Sequence, residues 1–274
     1  MSLTWRSEEE PAPARPGLAG WLRLLARGGA MAVLTFGGLL VLLALRPAER
    51  WRHGAARPWT GRLVQAVCRG DLRILGLPVE VAGRPMAGPG ASVANHASWL
   101  DILVLNAADR VHFVAKSEVA GWPGIGWLAR ATGTVFIARD PREAPAQAAL
   151  FTARLRAGAR LLFFPEGTST DGRRVLPFKP TLFAAFFAPG LEGLAIQPVS
   201  VRYTAPAGAD PRFYGWWGDM DLGPHLMQVL AARRQGRVRV VFHPPLPVAE
   251  FAGRKPLAAA AEAAVRAGVS PVGR

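Results

Sequence analysis

Apolar and polar positions follow two distinct patterns along this chain. Short apolar runs bounded by glycine, proline or charged residues predict buried strands, at residues 91–94, 111–115, 134–138, 161–164, 194–203 and 237–242. Longer stretches with apolar residues every three or four positions predict helices, at residues 99–106, 144–157, 182–188, 222–234 and 255–267. Strands that alternate with helices are typical of α/β proteins. We therefore predict a mixed sheet flanked by helices, which begins with residues 77–82 as an edge strand.

The N-terminal part of the chain has a different pattern. Residues 28–45 contain no charged side chain, and with Trp21 and Leu22 the stretch is long enough to cross a bilayer, which takes about 20 residues. We predict a disordered tail, a transmembrane or membrane-inserted helix, a basic amphipathic connection and one α/β domain, at residues 1–20, 21–45, 46–75 and 76–274. Four glycines in the apolar stretch leave a re-entrant or interfacial hairpin as an alternative. The connection either lies on the membrane or is an ordinary helix packed on the domain.

Charge and cysteine content narrow the classes of partner. The chain has 274 residues and a formal charge of +14, which indicates an anionic partner, either a membrane surface or a nucleic acid. No zinc-finger or RNP-like motif occurs in the sequence, so we expect no nucleic acid. More arginines follow the apolar stretch than precede it, which favours a domain on the cytoplasmic side of the membrane. The single cysteine, Cys68, excludes an internal disulfide, and no Cys/His cluster has metal-ligand spacing, so we expect no metal.

A histidine and an aspartate form the first candidate for chemistry. His96 and Asp101 are five positions apart, about 140° out of phase on a regular helix. Between strand 91–94 and helix 99–106, however, His96 falls on a turn from which it can fold back toward Asp101. A carboxylate bonded to one imidazole nitrogen fixes the tautomer and leaves the other nitrogen as a base. The sequence has no Gly-x-Ser-x-Gly elbow and Cys68 has no nearby histidine, so we expect the nucleophile to be a substrate alcohol.

A second candidate stretch follows strand 161–164. Its residues Glu166, Gly167 and Thr168 come directly after Phe164-Pro165, where the buried apolar run stops. Loops at the carboxyl ends of strands are where open α/β sheets bind ligands. We therefore expect these residues on the same rim as His96.

Together, residues 95–101 (Asn-His-Ala-Ser-Trp-Leu-Asp) and 164–168 (Phe-Pro-Glu-Gly-Thr) resemble the PlsC-type lysophospholipid (glycerolipid) acyltransferase family. Residues 133–139 and 196–199 resemble two weaker blocks of the same family, so that the resemblance covers about residues 75 to 205. It implies that His96 is the general base and that Asp101 orients it. It also implies that the acceptor is held by Arg139, Glu166, Gly167 and Thr168.

The resemblance implies a membrane-bound O-acyltransferase of membrane lipid biosynthesis. Such an enzyme moves a fatty acyl chain from acyl-CoA or acyl-ACP, as co-substrate, to the hydroxyl of a lysolipid such as 1-acylglycerol-3-phosphate, with no further cofactor. We expect it at the inner (cytoplasmic) membrane, with membrane lipids and an acyl carrier protein or coenzyme A thioester as partners. Two rival interpretations remain, a thioesterase that uses water in the same site and a non-catalytic basic membrane-surface binding protein.

One departure from the family concerns the acceptor. The family often continues Glu-Gly-Thr with Arg-Ser, whereas this chain continues with Ser169 and Thr170, which removes a bidentate phosphate partner. Either a later basic residue compensates, or the acceptor carries another head group; the basic candidates are Arg173, Arg174 and Lys179. Residues 216–220 (Trp-Trp-Gly-Asp-Met) with His225 are similar to the lyso-ornithine-lipid acyltransferase branch of the family. The alternative acceptor is therefore lyso-ornithine lipid.

Overall fold

A computed structural model describes residues 4–7, 16–54, 56–137, 144–191 and 193–270. Within these residues, eight strands form one mixed sheet: β1 (Val79–Ala82), β2 (Gly90–Ala94), β3 (His112–Lys116), β4 (Val135–Ile137), β5 (Leu161–Phe163), β6 (Ala195–Thr204), β7 (Arg237–Phe242) and β8 (Leu246–Pro247). The α-helices are α1 (Leu18–His53), α2 (Pro58–Leu75), α3 (Leu100–Ala108), α4 (Ile125–Thr132), α5 (Ala144–Arg156), α6 (Leu222–Ala231) and α7 (Arg254–Val269). The predicted mixed sheet flanked by helices is thereby confirmed.

The strand order places the two candidate stretches side by side. The sheet runs β1-β7-β6-β2-β5-β3-β4, with β8 paired to β6, and β1 is an edge strand as predicted. β2 is parallel to both of its neighbours, with Ala91 opposite Leu161 of β5 and Ile196 of β6. Because parallel neighbours end at the same edge of a sheet, the loops that follow β2 and β5 emerge together.

Both faces of the sheet are covered. One core packs the sheet against α7 and a short 3₁₀ helix at Leu182–Phe187, and the other packs it against α2, α3 and α6. All five residues of β2 are buried. Burial on both faces explains why the central strands β2 and β5 do not alternate between buried and exposed positions.

Helix α1 extends beyond the predicted segment 21–45 at both ends, from Leu18 to His53. The part of α1 beyond the apolar stretch includes Glu49, which is fully buried and binds the start of α2. Its carboxylate accepts the backbone N–H groups of Trp59 and Thr60 at 2.7 and 2.9 Å. These are among the N–H groups at the start of α2 that have no partner within their own helix.

Helix α1 lies along the domain rather than leaving it. A Cβ on Gly38 would collide with Val67 of α2, so the two helices approach closely at small residues. Nearer its start, the Arg27 guanidinium donates to the carbonyls of Leu230 and Ala232 at the end of α6. By length and composition α1 is able to cross a membrane. Exposed apolar side chains cover its outer face: Leu22, Leu25, Val33, Phe36, Leu40, Val41 and Leu43.

Two local predictions differ from the structure. Part of the predicted disordered tail is placed, because residues 4–7 pack on the domain through Trp5. Residues 182–188, expected as a buried helix, form the tighter 3₁₀ turn Leu182–Phe187.

Candidate active site

The loop between β2 and α3 brings a histidine onto an aspartate. His96 lies just beyond the end of β2, and Asp101 lies in the first turn of α3. The Nδ1 atom of His96 is 2.7 Å from Oδ2 of Asp101. The two side chains meet because one residue belongs to the loop and the other to the start of the helix, whereas a continuous helix would hold them apart.

Asp101 is fully buried and has four hydrogen-bond partners. Its Oδ2 atom accepts the backbone N–H groups of Ala97 and Ser98, at 2.8 and 3.0 Å, besides its contact with His96. Its Oδ1 atom accepts the hydroxyl of Tyr203, at 2.7 Å. Burial beside this carboxylate raises the pKa of Tyr203 well above its usual value, so the phenol remains a donor. These partners offset the cost of burying the carboxylate and fix its orientation.

The imidazole of His96 is held in plane by an aromatic ring. It stacks on Phe164 with the ring centroids 4.1 Å apart and 12° between the planes. The side chain of His96 remains 21% exposed, in contrast to Asp101. Since Nδ1 is occupied by Asp101, Nε2 is the nitrogen left for proton transfer.

The backbone around His96 is held by two polar side chains. Asn95 exchanges two hydrogen bonds with the backbone of Val201 on β6, at 2.9 and 2.8 Å, where the pairing of β2 has ended. Glu166 accepts the N–H of His96 at 3.0 Å, and the N–H of Thr170 donates to the carbonyl of His96 at 2.9 Å. The loop after β5 therefore binds both the backbone N–H and the carbonyl of His96.

Glu166 lies behind the loop, with only 1% of its surface exposed. Its second oxygen accepts the N–H of Leu176 at 3.2 Å, so both oxygens are engaged within the protein. Burial raises the pKa of Glu166 to about 8, the nearby charge of Asp101 acts in the same direction, and the two backbone donors oppose it. The Glu166 carboxyl group thus links its own loop to the backbone at His96 and at Leu176.

Gly167 and Thr168 lie nearer the surface of the site. Gly167 turns the chain with φ at 72°, and its N–H donates to the carbonyl of Phe164. A Cβ at Gly167 would lie 2.7 Å from Nζ of Lys179, so a cation lies directly against this backbone. The Oγ1 atom of Thr168 accepts the backbone N–H of Trp5 at 3.2 Å.

The segment singled out by its likeness to the ornithine branch packs against the histidine loop. The N–H of Trp216 donates to the carbonyl of Ala97 at 2.8 Å. The indole N–H of Trp99 donates to Nδ1 of His225 at 2.9 Å. Burial lowers the pKa of His225 to about 4, which keeps its ring neutral and able to accept.

The structure brings His96, Asp101, Glu166, Gly167 and Thr168 into one site, whereas Arg139 lies outside the described residues. Tyr203 was not among the site residues predicted from the sequence. Its position in β6 could have indicated it, because Tyr203 lies on the same face of the strand as Val199 and Val201, one residue before the strand ends. Among the described residues, no group of three or more potential metal ligands lies together.

The fold and this site define the class of protein. A family model described as Acyltransferase matches residues 79–202, and the chain belongs to this acyltransferase family. It is 60% identical over 266 residues to the lyso-ornithine lipid O-acyltransferase of Rhodobacter capsulatus, covering 97% of this chain and 96% of that protein. It is 40% identical to the protein of the same name from Brucella abortus, covering 91% and 95%.

A solved structure has the same fold. The crystal structure of the 1-acyl-sn-glycerophosphate (LPA) acyltransferase PlsC from Thermotoga maritima superposes with a TM-score of 0.66, at 23% identity. The match covers 91% of this chain and 94% of that one. The protein is therefore an acyltransferase of lipid biosynthesis, and the resemblance seen in its motifs is confirmed.

Proposed function

We propose that the protein is an O-acyltransferase that transfers a fatty acyl chain from an acyl thioester to the hydroxyl of lyso-ornithine lipid. The observation that carries the chemistry is the 2.7 Å contact between His96 and Asp101, which prepares an imidazole as a base. Cys68 is buried and its pKa is raised to about 12, chiefly by burial, so this thiol is no nucleophile. The attacking oxygen then belongs to the acceptor.

The reaction follows from this geometry. Nε2 of His96 takes the proton of the acceptor hydroxyl as its oxygen bonds to the thioester carbonyl carbon. The carbon–sulfur bond then breaks, and the thiol leaves with the proton that the imidazolium returns. Asp101 steadies the imidazolium between these steps, and Tyr203 holds Asp101. Glu166 is a positioning residue in this scheme, because both its oxygens are engaged by the backbone.

Two observations favour an ornithine head group over the phosphate expected first. Both relatives above that cover more than nine-tenths of the chain are named for lyso-ornithine lipid. In addition, Arg174 is paired with Asp171 through two hydrogen bonds, so this candidate replacement for the missing arginine is already neutralised. Together they support an acceptor other than a phosphate monoester.

We propose that α1 inserts its exposed apolar face into the inner membrane, with the domain on the cytoplasmic side. Contacts with α2 and α6 along its length support insertion beside the domain rather than a span that leaves it. Acyl-CoA and acyl-ACP are the proposed donors, because both present thioesters in the cytoplasm. Neither donor adds a metal or another cofactor to the proposed reaction.

Purified protein in detergent, given acyl-CoA or acyl-ACP, tests this function. We expect acylated product with lyso-ornithine lipid, slower turnover with lysophosphatidic acid, and loss of product in His96→Ala. Free fatty acid released at the same rate without acceptor would instead identify a thioesterase. Vesicle binding with no turnover in either the wild type or the variant would identify a lipid-binding protein.

A further inference from the structure

An N-terminal arm, residues 4–7, packs on the site at Thr168, in the loop after β5. The N–H of Trp5 bonds to Thr168, and its ring lies 6.0 Å from that of Trp217 and 4.9 Å from the guanidinium carbon of Arg174. The next residue, Arg6, pairs with Asp219 at 2.8 Å. The arm therefore connects the Thr168 loop with the segment 216–220.

The arginine of this arm, Arg6, resembles the proposed acceptor in its chemistry. An arginine within a peptide is an N-acylated amino acid with three methylenes and a terminal cation. Lyso-ornithine lipid is an N-(3-hydroxyacyl)ornithine, which has the same acyl amide and the same three methylenes, and ends in an ammonium. Arg6 differs from such a head group by one amidine carbon and its nitrogens, and by the peptide bond that replaces the carboxylate.

Resting on the function proposed above, we propose that the arm occupies the head-group subsite and that Asp219 binds the ornithine ammonium there. The Asp219 side chain is 69% exposed and its pair with Arg6 is a surface ion pair. Exposed ion pairs are weak because water screens both charges, so the ammonium of an acceptor can replace the guanidinium of Arg6.

The segment that carries Asp219 is fixed relative to the histidine. Trp216 binds the carbonyl of Ala97, next to His96, and the turn closes through the N–H of Met220 on the carbonyl of Trp217. A Cβ on Gly215 would lie 2.9 Å from the backbone of Asp171, so this segment also packs tightly on the loop after β5. Asp219 thus stands at a set place on the rim while its carboxylate stays free to exchange partners.

Lys179 supplies the opposite charge. Its ammonium lies against Gly167, adjacent to the residue that binds the arm. A site that combines Lys179, against Gly167, with Asp219, which the arm joins to Thr168, suits a head group that carries both a carboxylate and an ammonium. A phosphate monoester is repelled by Asp219, and such an unfavourable contact adds to specificity.

The test varies both the enzyme and the acceptor. N-(3-hydroxyacyl)norvaline is the ornithine acceptor without its amine, so it keeps every group except the proposed ligand of Asp219. We expect the wild type to favour the ornithine acceptor over the norvaline acceptor about two- to fivefold in kcat/KM, chiefly through KM, as for one exposed ion pair. Asp219→Asn loses this preference, and Asp219→Glu retains part of it.

Glu80→Gln is the matched control, because Glu80 forms a similarly exposed ion pair with Arg237, on the β1–β7 pair at the far edge of the sheet. We expect it to keep the full preference. An Asp219→Asn enzyme that favours ornithine as strongly as the wild type does, or that loses activity on both acceptors equally, overturns the assignment of Asp219. A wild type inactive on both acceptors overturns the proposed function itself, which is a separate outcome.

Discussion

The histidine loop (residues 95–101) and the rim around Asp219 (residues 4–7 and 216–220) lie next to each other but are built in different ways. At the loop, the carboxyl groups of Asp101 and of Glu166, which binds the loop from beyond β5, are buried, and each oxygen has a partner inside the protein. On the rim, Asp219 and Arg6 are more than half exposed and hold each other through one ion pair. The loop is therefore rigid, whereas the rim can exchange its partners for those of a ligand.

This contrast separates the two tasks of an acyltransferase. Proton transfer needs groups within hydrogen-bond distance and in fixed orientation, which a buried network provides. Acceptor choice needs charges that release one partner and accept another, which only exposed groups do at low cost. We therefore expect substitutions in the loop to change kcat and substitutions on the rim to change KM.

The largest expected effect is that of His96→Ala. Removal of the base should lower kcat by about 10² to 10⁴, because general-base catalysis contributes about this much. Turnover of acyl thioester with lyso-ornithine lipid measures it. His53→Ala is the control, since His53 is an exposed residue at the end of α1, and it should retain wild-type kcat. Equal activity in the two variants would remove His96 from the mechanism.

Tyr203→Phe should have the next largest effect. It leaves Oδ1 of Asp101 buried without its donor, which should lower the free energy of unfolding by about 1–3 kcal/mol. We also expect kcat to fall by about tenfold, or about 1.4 kcal/mol, because the carboxylate that orients His96 loses one of its anchors.

Tyr214→Phe separates these two effects. Tyr214 lies beside Tyr203, with 5.4 Å between the ring centroids, but its hydroxyl bonds to Gln235 and Gly236. It should lose comparable stability, measured by thermal unfolding, and keep its kcat. If both phenylalanine variants lose kcat alike, Tyr203 contributes only to packing.

The histidine loop was more predictable from sequence than the rim. The spacing of His96 and Asp101, between an apolar strand and an apolar helix, already implied a turn that closes the pair, and the distance of 2.7 Å agrees. The strand pattern likewise predicted the sheet, because burial on both faces leaves continuous apolar runs. Local signals sufficed here because the two residues are only five positions apart.

The parts that sequence did not predict depend on contacts between distant segments. Tyr203 reaches Asp101 across 102 positions, and Glu166 reaches the N–H of His96 across 70. The arm at residues 4–7 looked disordered because it has no periodic pattern, yet Trp5 packs on Trp217. Such contacts follow from strand order and loop closure, which hydrophobic periodicity does not encode.

A smaller effect is expected in the pH dependence of stability. Burial raises the pKa of Glu166 to about 8, from 4.5. Between these values the folded state holds a proton that the unfolded state has released, so the contribution of Glu166 to stability is greatest below about pH 4.5 and is lost as pH rises through 8. Glu166→Gln has no group to titrate and should flatten this decline. Melting temperatures from pH 5 to 8.5 measure the two slopes, and parallel curves would show that Glu166 is ionised throughout.

The smallest effect is expected on the rim, from Arg6→Ala. Loss of an exposed ion pair should change the free energy of unfolding by less than about 1 kcal/mol, well below the cost of Tyr203→Phe. Because the arm and the acceptor compete for Asp219, we expect KM for lyso-ornithine lipid to fall by about two- to fivefold, which corresponds to that same energy. Steady-state kinetics in mixed micelles measures it. A higher KM would mean that Arg6 itself binds the acceptor. A change in kcat alone would contradict the division of tasks between a rigid loop and an exchangeable rim.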